Sequence, residues 1–375
     1  VKYNKGQLAV AHNGNLINAA ELRSELEGRG AIFQGTSDSE VIVHLIAQSG
    51  AHQDFLEGLA TSLYRVKGAY SLLFLRERQM VAVKDPRGIR PLCIGKLGDA
   101  FVVASESCAL DIMGAQFLRE IKNGEMVVID EHGVHIENPF PPVEEHFCIF
   151  EYIYFSRPDS LAPGRTIYEI RHALGEQLAR ERPVEADVVI PTPDSSNAAA
   201  IGYSKESGIP FDLGLIRSHY IGRTFIEPSE GIRHFGAKLK YSPVTSVLQD
   251  KRVIIVDDSI VRGTTSRKIV EMVRRAGARE VHLRISAPQW KHPCYYGIDT
   301  PSATDLIANQ LGDEEMRKAL GVDSLGFISI EGLRAVAPKT VGYCTACFSG
   351  EYPAGRPTDF KKDMLEQDVP AMARG

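Results

Sequence analysis

The residues with the clearest chemical meaning lie together at positions 251–265, in the run KRVIIVDDSIVRGTT. An apolar stretch ends in two adjacent carboxylates, Asp257 and Asp258. Ser259, Arg262, Gly263, Thr264 and Thr265 follow in a short loop that opens a helical pattern. Ligands of open α/β sheets bind beyond the carboxyl ends of strands, where such loops sit. Loop amides and a helix N-terminus suit a phosphate dianion, through oriented N–H groups and the positive end of the helix dipole. The two threonines add hydroxyl donors, and Gly263 lets the backbone approach closely. Carboxylates beside a phosphate repel it unless they face hydroxyls or a Mg²⁺ ion. The plain alternative is a βα turn with two capping acids and nothing bound. No G-x-x-x-x-G-K-[ST] loop occurs, so a Walker A site is excluded.

Two weaker signals lie nearer the start. His12-Asn13-Gly14-Asn15 reads as a turn-rich corner, and Thr36-Ser37-Asp38-Ser39-Glu40 reads as the cap of a helix. Taken alone, each is explained by local structure. The six cysteines are Cys93, Cys108, Cys148, Cys294, Cys344 and Cys347, ordinary usage for 375 residues and unlike a disulfide scaffold. Cys93 and Cys108 read as buried small hydrophobes. Cys344-Thr-Ala-Cys347 is a C-x-x-C pair, which in a reducing compartment means metal ligation or redox chemistry, or a chance pair in a tail.

Stepping outward, the elements that must position these groups fall into two rhythms. Apolar strands are expected at 7–11, 69–76, 80–84, 100–104 and 126–130, with helices at 18–27 and 41–48, a layered α+β unit. Asn138-Pro-Phe-Pro-Pro breaks the pattern and marks a boundary. Beyond it, strands at 186–191, 210–215, 253–256 and 281–286 alternate with helices at 194–205 and 265–276, the signature of parallel βαβ units. The expected parts are 1–142, 143–335 and a cysteine-bearing tail, 336–375.

Composition excludes other classes. Hydrophobic residues at 43% and charged residues at 24% are globular values. At about 150 residues per domain the length suggests two or three units. A net charge of -5 argues against nucleic acid as a partner. No run of 18 apolar residues crosses a bilayer, and no secretory leader precedes the fold, so the expectation is a cytoplasmic protein without a membrane partner. The chain opens at Val1 rather than Met and reads as clipped.

The segment VIIVDDSIVRGTTSRKIV resembles the phosphoribosylpyrophosphate (PRPP) motif of type I phosphoribosyltransferases, and more closely that of the glutamine PRPP amidotransferases. AHNGNLINA, GTSDSE, EYIYFSRPDS, PTPDSSNAAAIGY, YIGRTFIEPS and HPCYYGIDT match that family in order along nearly the whole chain. The resemblance implies an N-terminal-nucleophile αββα sandwich, lacking its start, followed by a type I phosphoribosyltransferase fold. It implies PRPP and glutamine or ammonia as substrates, and 5-phosphoribosylamine as product in purine synthesis. Asp257 and Asp258 would bind ribose hydroxyls and, with Ser195, Mg²⁺; residues 259–265 would cradle the 5-phosphate. Arg223 would belong to a loop closing over PRPP, and Lys240 would reach a phosphate. Asn13 and Gly14 would form an oxyanion hole, and Asp38 would grip the glutamine amino group. The family's nucleophile is the thiol of residue one, but residue 1 here is Val1, so this chain as written is not expected to hydrolyse glutamine. Cys148, Cys294, Cys344 and Cys347 fall where some members hold a [4Fe–4S] cluster, zinc being the alternative for four thiolates. A homo-oligomer, dimer or tetramer, with purine-nucleotide inhibitors is implied by the family alone. The rival readings are a non-enzymatic PRPP-binding regulator of purine genes and a salvage phosphoribosyltransferase.

Overall fold

The computed structural model describes residues 1–3, 6–49, 54–218 and 241–357. Five antiparallel strands pair in the order Gly133–Glu137, Met126–Asp130, Gln79–Lys84, Gly68–Leu75, Ala9–Leu16. Strand periodicity of two sends Val81, Val83, Met126 and Val128 to one face and Ala82 and Val127 to the other. Both faces are buried, so both need a covering layer. Helices Ala19–Gly28, Ser39–Gln48 and Phe55–Tyr64 cover the first with Leu26, Ile42 and Leu59. A second antiparallel sheet, ordered Ala100–Ala104, Cys93–Leu97, Gln116–Glu120, covers the other through Ile94. Helix Ser107–Met113 packs Leu110 against the outer face of that sheet, beside Cys93. The result is a four-layer αββα sandwich.

The following residues build a parallel sheet in the order Val188–Pro191, Arg252–Asp257, Glu280–Ile285, Ser324–Phe327. Residues 253–256 are all fully buried, as expected of a strand covered on both faces. Helices Ile167–Glu181 and Asn197–Ser207 cross at two glycines: a Cβ on Gly175 would lie 1.8 Å from the Ala199 carbonyl oxygen, and one on Gly202 1.9 Å from that of His172. Helix Thr264–Arg275 buries Ile269, Val270 and Val273 on one face. Among the described residues no helix is long and apolar enough to cross a membrane.

Three expectations need correcting. The segment His12-Asn13-Gly14-Asn15 is not a turn but the second half of strand Ala9–Leu16, paired with residues 69–72. Residues 210–215 do not form a strand; only Phe211 bridges to Val189, and the strand there is Leu215–Arg217. Asp38 does not cap its own helix: its carboxylate accepts from the Leu16 amide at 2.9 Å, tying the helix to the strand that carries Asn13.

Candidate active site

Strand Arg252–Asp257 lies inside the parallel sheet, so its carboxyl end delivers both acids to one edge. Asp257 is 6% exposed and Asp258 8%. Asp257 Oδ1 accepts from the Asp258 amide at 2.9 Å and from Ser196 Oγ at 3.4 Å, and Ser259 Oγ donates to Asp258 Oδ1 at 2.7 Å. Burial, and next the charge of Asp258, push the Asp257 carboxyl up to about 8. The pair therefore retains a proton near neutrality until a cation or hydroxyl donors arrive. Gly263 follows with φ +75°, where a Cβ would lie 2.6 Å from Ile307 Cδ1, and helix Thr264–Arg275 starts directly after it. The loop thus presses onto Ile307.

Arg262 is exposed, its guanidinium 3.8 Å from Asp305. Ser195 is half-buried, and it is the neighbouring Ser196 whose hydroxyl reaches Asp257. Arg217 pairs with Asp194 at 2.5 Å, holding strand Leu215–Arg217 beside the PTPDSS loop. Arg223 and Lys240 lie outside the described residues.

In the sandwich, Gly14 has φ +141° and its α-carbon faces the opposite strand so closely that a Cβ would sit 2.1 Å from the Ala69 oxygen. Only glycine fits. Asn13 on the same strand donates from Nδ2 to Ser105 Oγ at 3.0 Å, and its Oδ1 accepts from Arg90 Nε at 3.2 Å. Asp38 lies 3.4 Å from His12 Nδ1, and Ser39 Oγ bridges the two. Burial pushes the Asp38 carboxyl up. Hydrogen bonding to His12, the charge of that ring, the Leu16 amide and Ser39 outweigh it, so the group stays below its ordinary value.

The four remaining cysteines converge from distant sequence. Cys148 stands opposite Cys344 in a two-residue parallel pairing, Cys347 lies on the turn of helix Ala346–Ser349, and the Lys291 and His292 amides both donate to its carbonyl at 3.0 Å. Cys294 completes a cavity lined also by Ile89, Phe150, Trp290 and Tyr352. Burial raises all four thiols, Cys344 to about 12. Such thiols stay protonated unless a cationic centre compensates the thiolates. Yet among the described residues no three His, Cys, Asp or Glu side chains converge closely enough for a single metal ion. Four sulfurs line this one cavity, a donor set that suits either a zinc ion or an iron–sulfur cluster.

Sequence reasoning missed Arg90, Glu151 and Arg171. Arg90 is 0% and Glu151 1% exposed, and they pair at 3.1 Å. Arg171, equally buried, donates to the Tyr152 and Ser156 carbonyls at 2.9 and 2.7 Å. Burial lowers the Arg171 guanidinium, and the charge of Asp258 pulls it back. No periodicity marks a charged residue for burial; EYIYFSRPDS carried the only signal, as a matched motif without a role.

These two sites, on these two folds, define a chain in which a glutamine amidotransferase domain of the N-terminal-nucleophile type precedes a type I phosphoribosyltransferase domain. A family model described as a glutamine amidotransferase domain matches residues 1–111. The amidophosphoribosyltransferase of Bacillus subtilis (strain 168) is 51% identical over 355 residues, covering 93% of this chain and 74% of that protein. Amidophosphoribosyltransferase 1 of Arabidopsis thaliana, chloroplastic, is 52% identical over 361 residues, covering 96% of this chain and 63% of its own length. A solved structure of the B. subtilis glutamine PRPP amidotransferase complexed with ADP and GMP superposes with a TM-score of 0.87 at 50% identity, covering 94% of this chain and 78% of that one. The chain belongs to the amidophosphoribosyltransferase family.

Proposed function

We propose that the protein makes 5-phosphoribosylamine from PRPP, with ammonia, free or released from glutamine, displacing pyrophosphate at C1. The observation that carries this is the buried Asp257–Asp258 pair, held by Ser196 and Ser259, directly before the Gly263 loop. Asp257 and Asp258 face the ribose hydroxyls, and the residues from Ser259 through Thr265 hold the 5-phosphate with Arg262 at the rim. Asp257 and Asp258, with Ser195, would hold Mg²⁺, which would supply positive charge to the departing diphosphate. Arg223 belongs to the loop of the family motif that closes over PRPP, and Lys240 reaches a phosphate. In the sandwich, the Gly14 amide and the Asn13 side chain stabilise the tetrahedral oxyanion, and Asp38, kept ionised, pairs with the ammonium of glutamine. Cys148, Cys294, Cys344 and Cys347 hold a [4Fe–4S] cluster that ties residues 336–357 to the second domain; unpaired thiols suit a reducing cytoplasm.

The parts are taken as 1–142, 143–335 and 336–375. A homo-oligomer inhibited by purine nucleotides belongs to the same reading, and a relative solved with ADP and GMP supports its nucleotide part. Incubation with PRPP and Mg²⁺, and then ammonia, adenine or guanine, tests the assignment. Pyrophosphate release with ammonia supports it, and release only with a base overturns it.

A further inference from the structure

We infer that Arg90 is a positioning residue for the glutamine site: its guanidinium sets which way the Asn13 amide faces, and Glu151 from the phosphoribosyltransferase part holds it there. The inference rests on the reading of Asn13 as an oxyanion donor.

A primary amide has two ends of nearly equal shape and opposite polarity. An oxyanion hole works only when the NH2 end faces the developing charge; the inverted amide would present a carbonyl oxygen to it. Asn13 has two described side-chain partners. One is Ser105 Oγ, 3.0 Å from Nδ2. A hydroxyl donates or accepts, so Ser105 would satisfy either orientation and selects neither. The other is Arg90 Nε, 3.2 Å from Oδ1. Arginine has donors only, so the atom it meets must be the oxygen, and the NH2 is directed away from it. Arg90 is the selector.

Arg90 can act this way because it is itself fixed. Its Nη1 lies 3.1 Å from Glu151 Oε1, its Cζ stands 4.5 Å from the Phe155 ring centroid, and its carbonyl accepts from Ser71 Oγ at 3.0 Å. Glu151 in turn accepts from Ser156 through its other oxygen at 2.5 Å. Glu151, Phe155 and Ser156 lie beyond residue 142, in the segment that Arg171 grips from the helix behind. The donor of one active site is therefore oriented by side chains of the neighbouring domain. A second contact runs alongside: a Cβ on Gly297, three residues from Cys294, would sit 2.8 Å from the Gly14 backbone.

The test uses the full-length protein as wild type, Arg90→Lys, Asn13→Ala and the double variant. Lysine keeps the charge beside Glu151 but loses the planar fork. Arg90→Lys is expected to lower kcat with glutamine about 10²-fold, the scale of one lost oxyanion donor. KM for glutamine stays within about three-fold, because the interaction acts in the transition state. Ammonia-dependent activity is unchanged, and the double variant is no slower than Asn13→Ala, since both remove one function. Unchanged kcat in Arg90→Lys, or losses that multiply in the double variant, would overturn the inference. Should Arg90→Lys lose both activities together, Glu151→Gln decides by the same split of kcat, KM and ammonia-dependent rate. Full glutamine-dependent activity in Asn13→Ala would instead overturn the oxyanion reading, and the role of Arg90 with it.

Discussion

Replacing Asp257 by Asn is expected to stabilise the ligand-free protein while abolishing its chemistry. The folded protein holds the Asp257 proton up to about pH 8 because burial and Asp258 oppose ionisation, against an ordinary value of 3.8. At pH 7 an unfolded chain has lost that proton, and the folded chain forgoes about 1.36 kcal/mol per pH unit, about 4 kcal/mol as an upper bound. Asn never ionises, and its Oδ1 can still accept from the Asp258 amide and Ser196. Allowing half the bound for burying a neutral amide leaves about 2 kcal/mol, or about 4–8 °C in the melting of the phosphoribosyltransferase part. The sign across pH follows from proton counts. Between pH 4 and 8 the unfolded state binds fewer protons than the folded one, so wild-type stability falls as pH rises. Asp257→Asn is therefore about 2 kcal/mol less stable than wild type at pH 4, where only the cost of the buried amide remains, and its advantage is largest near pH 8. Calorimetry without Mg²⁺ or PRPP, at half-unit steps, reads this difference directly, and the ammonia-dependent rate reads the lost function. A variant that melts below wild type at pH 8, or whose offset is the same at pH 5 and pH 8, would refute the reasoning.

Gly175→Ala places a Cβ 1.8 Å from the Ala199 oxygen, a backbone atom, and is expected to cost about 3 kcal/mol by forcing two helices apart, read as a lower melting temperature. Gly263→Ala meets Ile307 Cδ1 at 2.6 Å and a positive φ, so about 1–2 kcal/mol of strain should raise KM for PRPP about ten-fold in steady-state kinetics. Cys347→Ser, prepared anaerobically, should lack the iron and the broad visible absorbance of the wild type. A colourless wild type with stoichiometric zinc would contradict the cluster assignment.

Much of this was legible because apolar patterning reports burial. The run VIIV before Asp257 gave a strand covered on both faces, and Ile269, Val270 and Val273 gave the buried stripe of the helix after it. Patterning failed where another force decided. The polar segment His12-Asn13-Gly14-Asn15 reads as a turn, yet its strand is fixed by pairing with residues 69–72 of the neighbouring strand, a non-local interaction. Asp38 carries the residue type of a helix cap, but the amide of Leu16 and the ring of His12 claim its carboxylate. The gathering of Cys148, Cys294 and Cys347 came from motif resemblance, since nothing local in sequence brings positions so far apart together. The burial of Arg90 and Glu151 was invisible, because each is tolerated inside only by the presence of the other.

The central claim is that one protein moves nitrogen from glutamine to C1 of PRPP. Full-length protein supplied with PRPP, Mg²⁺, amide-¹⁵N glutamine and an excess of unlabelled ammonia tests it most directly. The account predicts ¹⁵N bonded to C1 of a ribose 5-phosphate product, with one pyrophosphate released per C1–N bond, labelled and unlabelled together. Binding of PRPP without any C1–N bond formed, or a C1–N bond formed only to an added purine base, would contradict it.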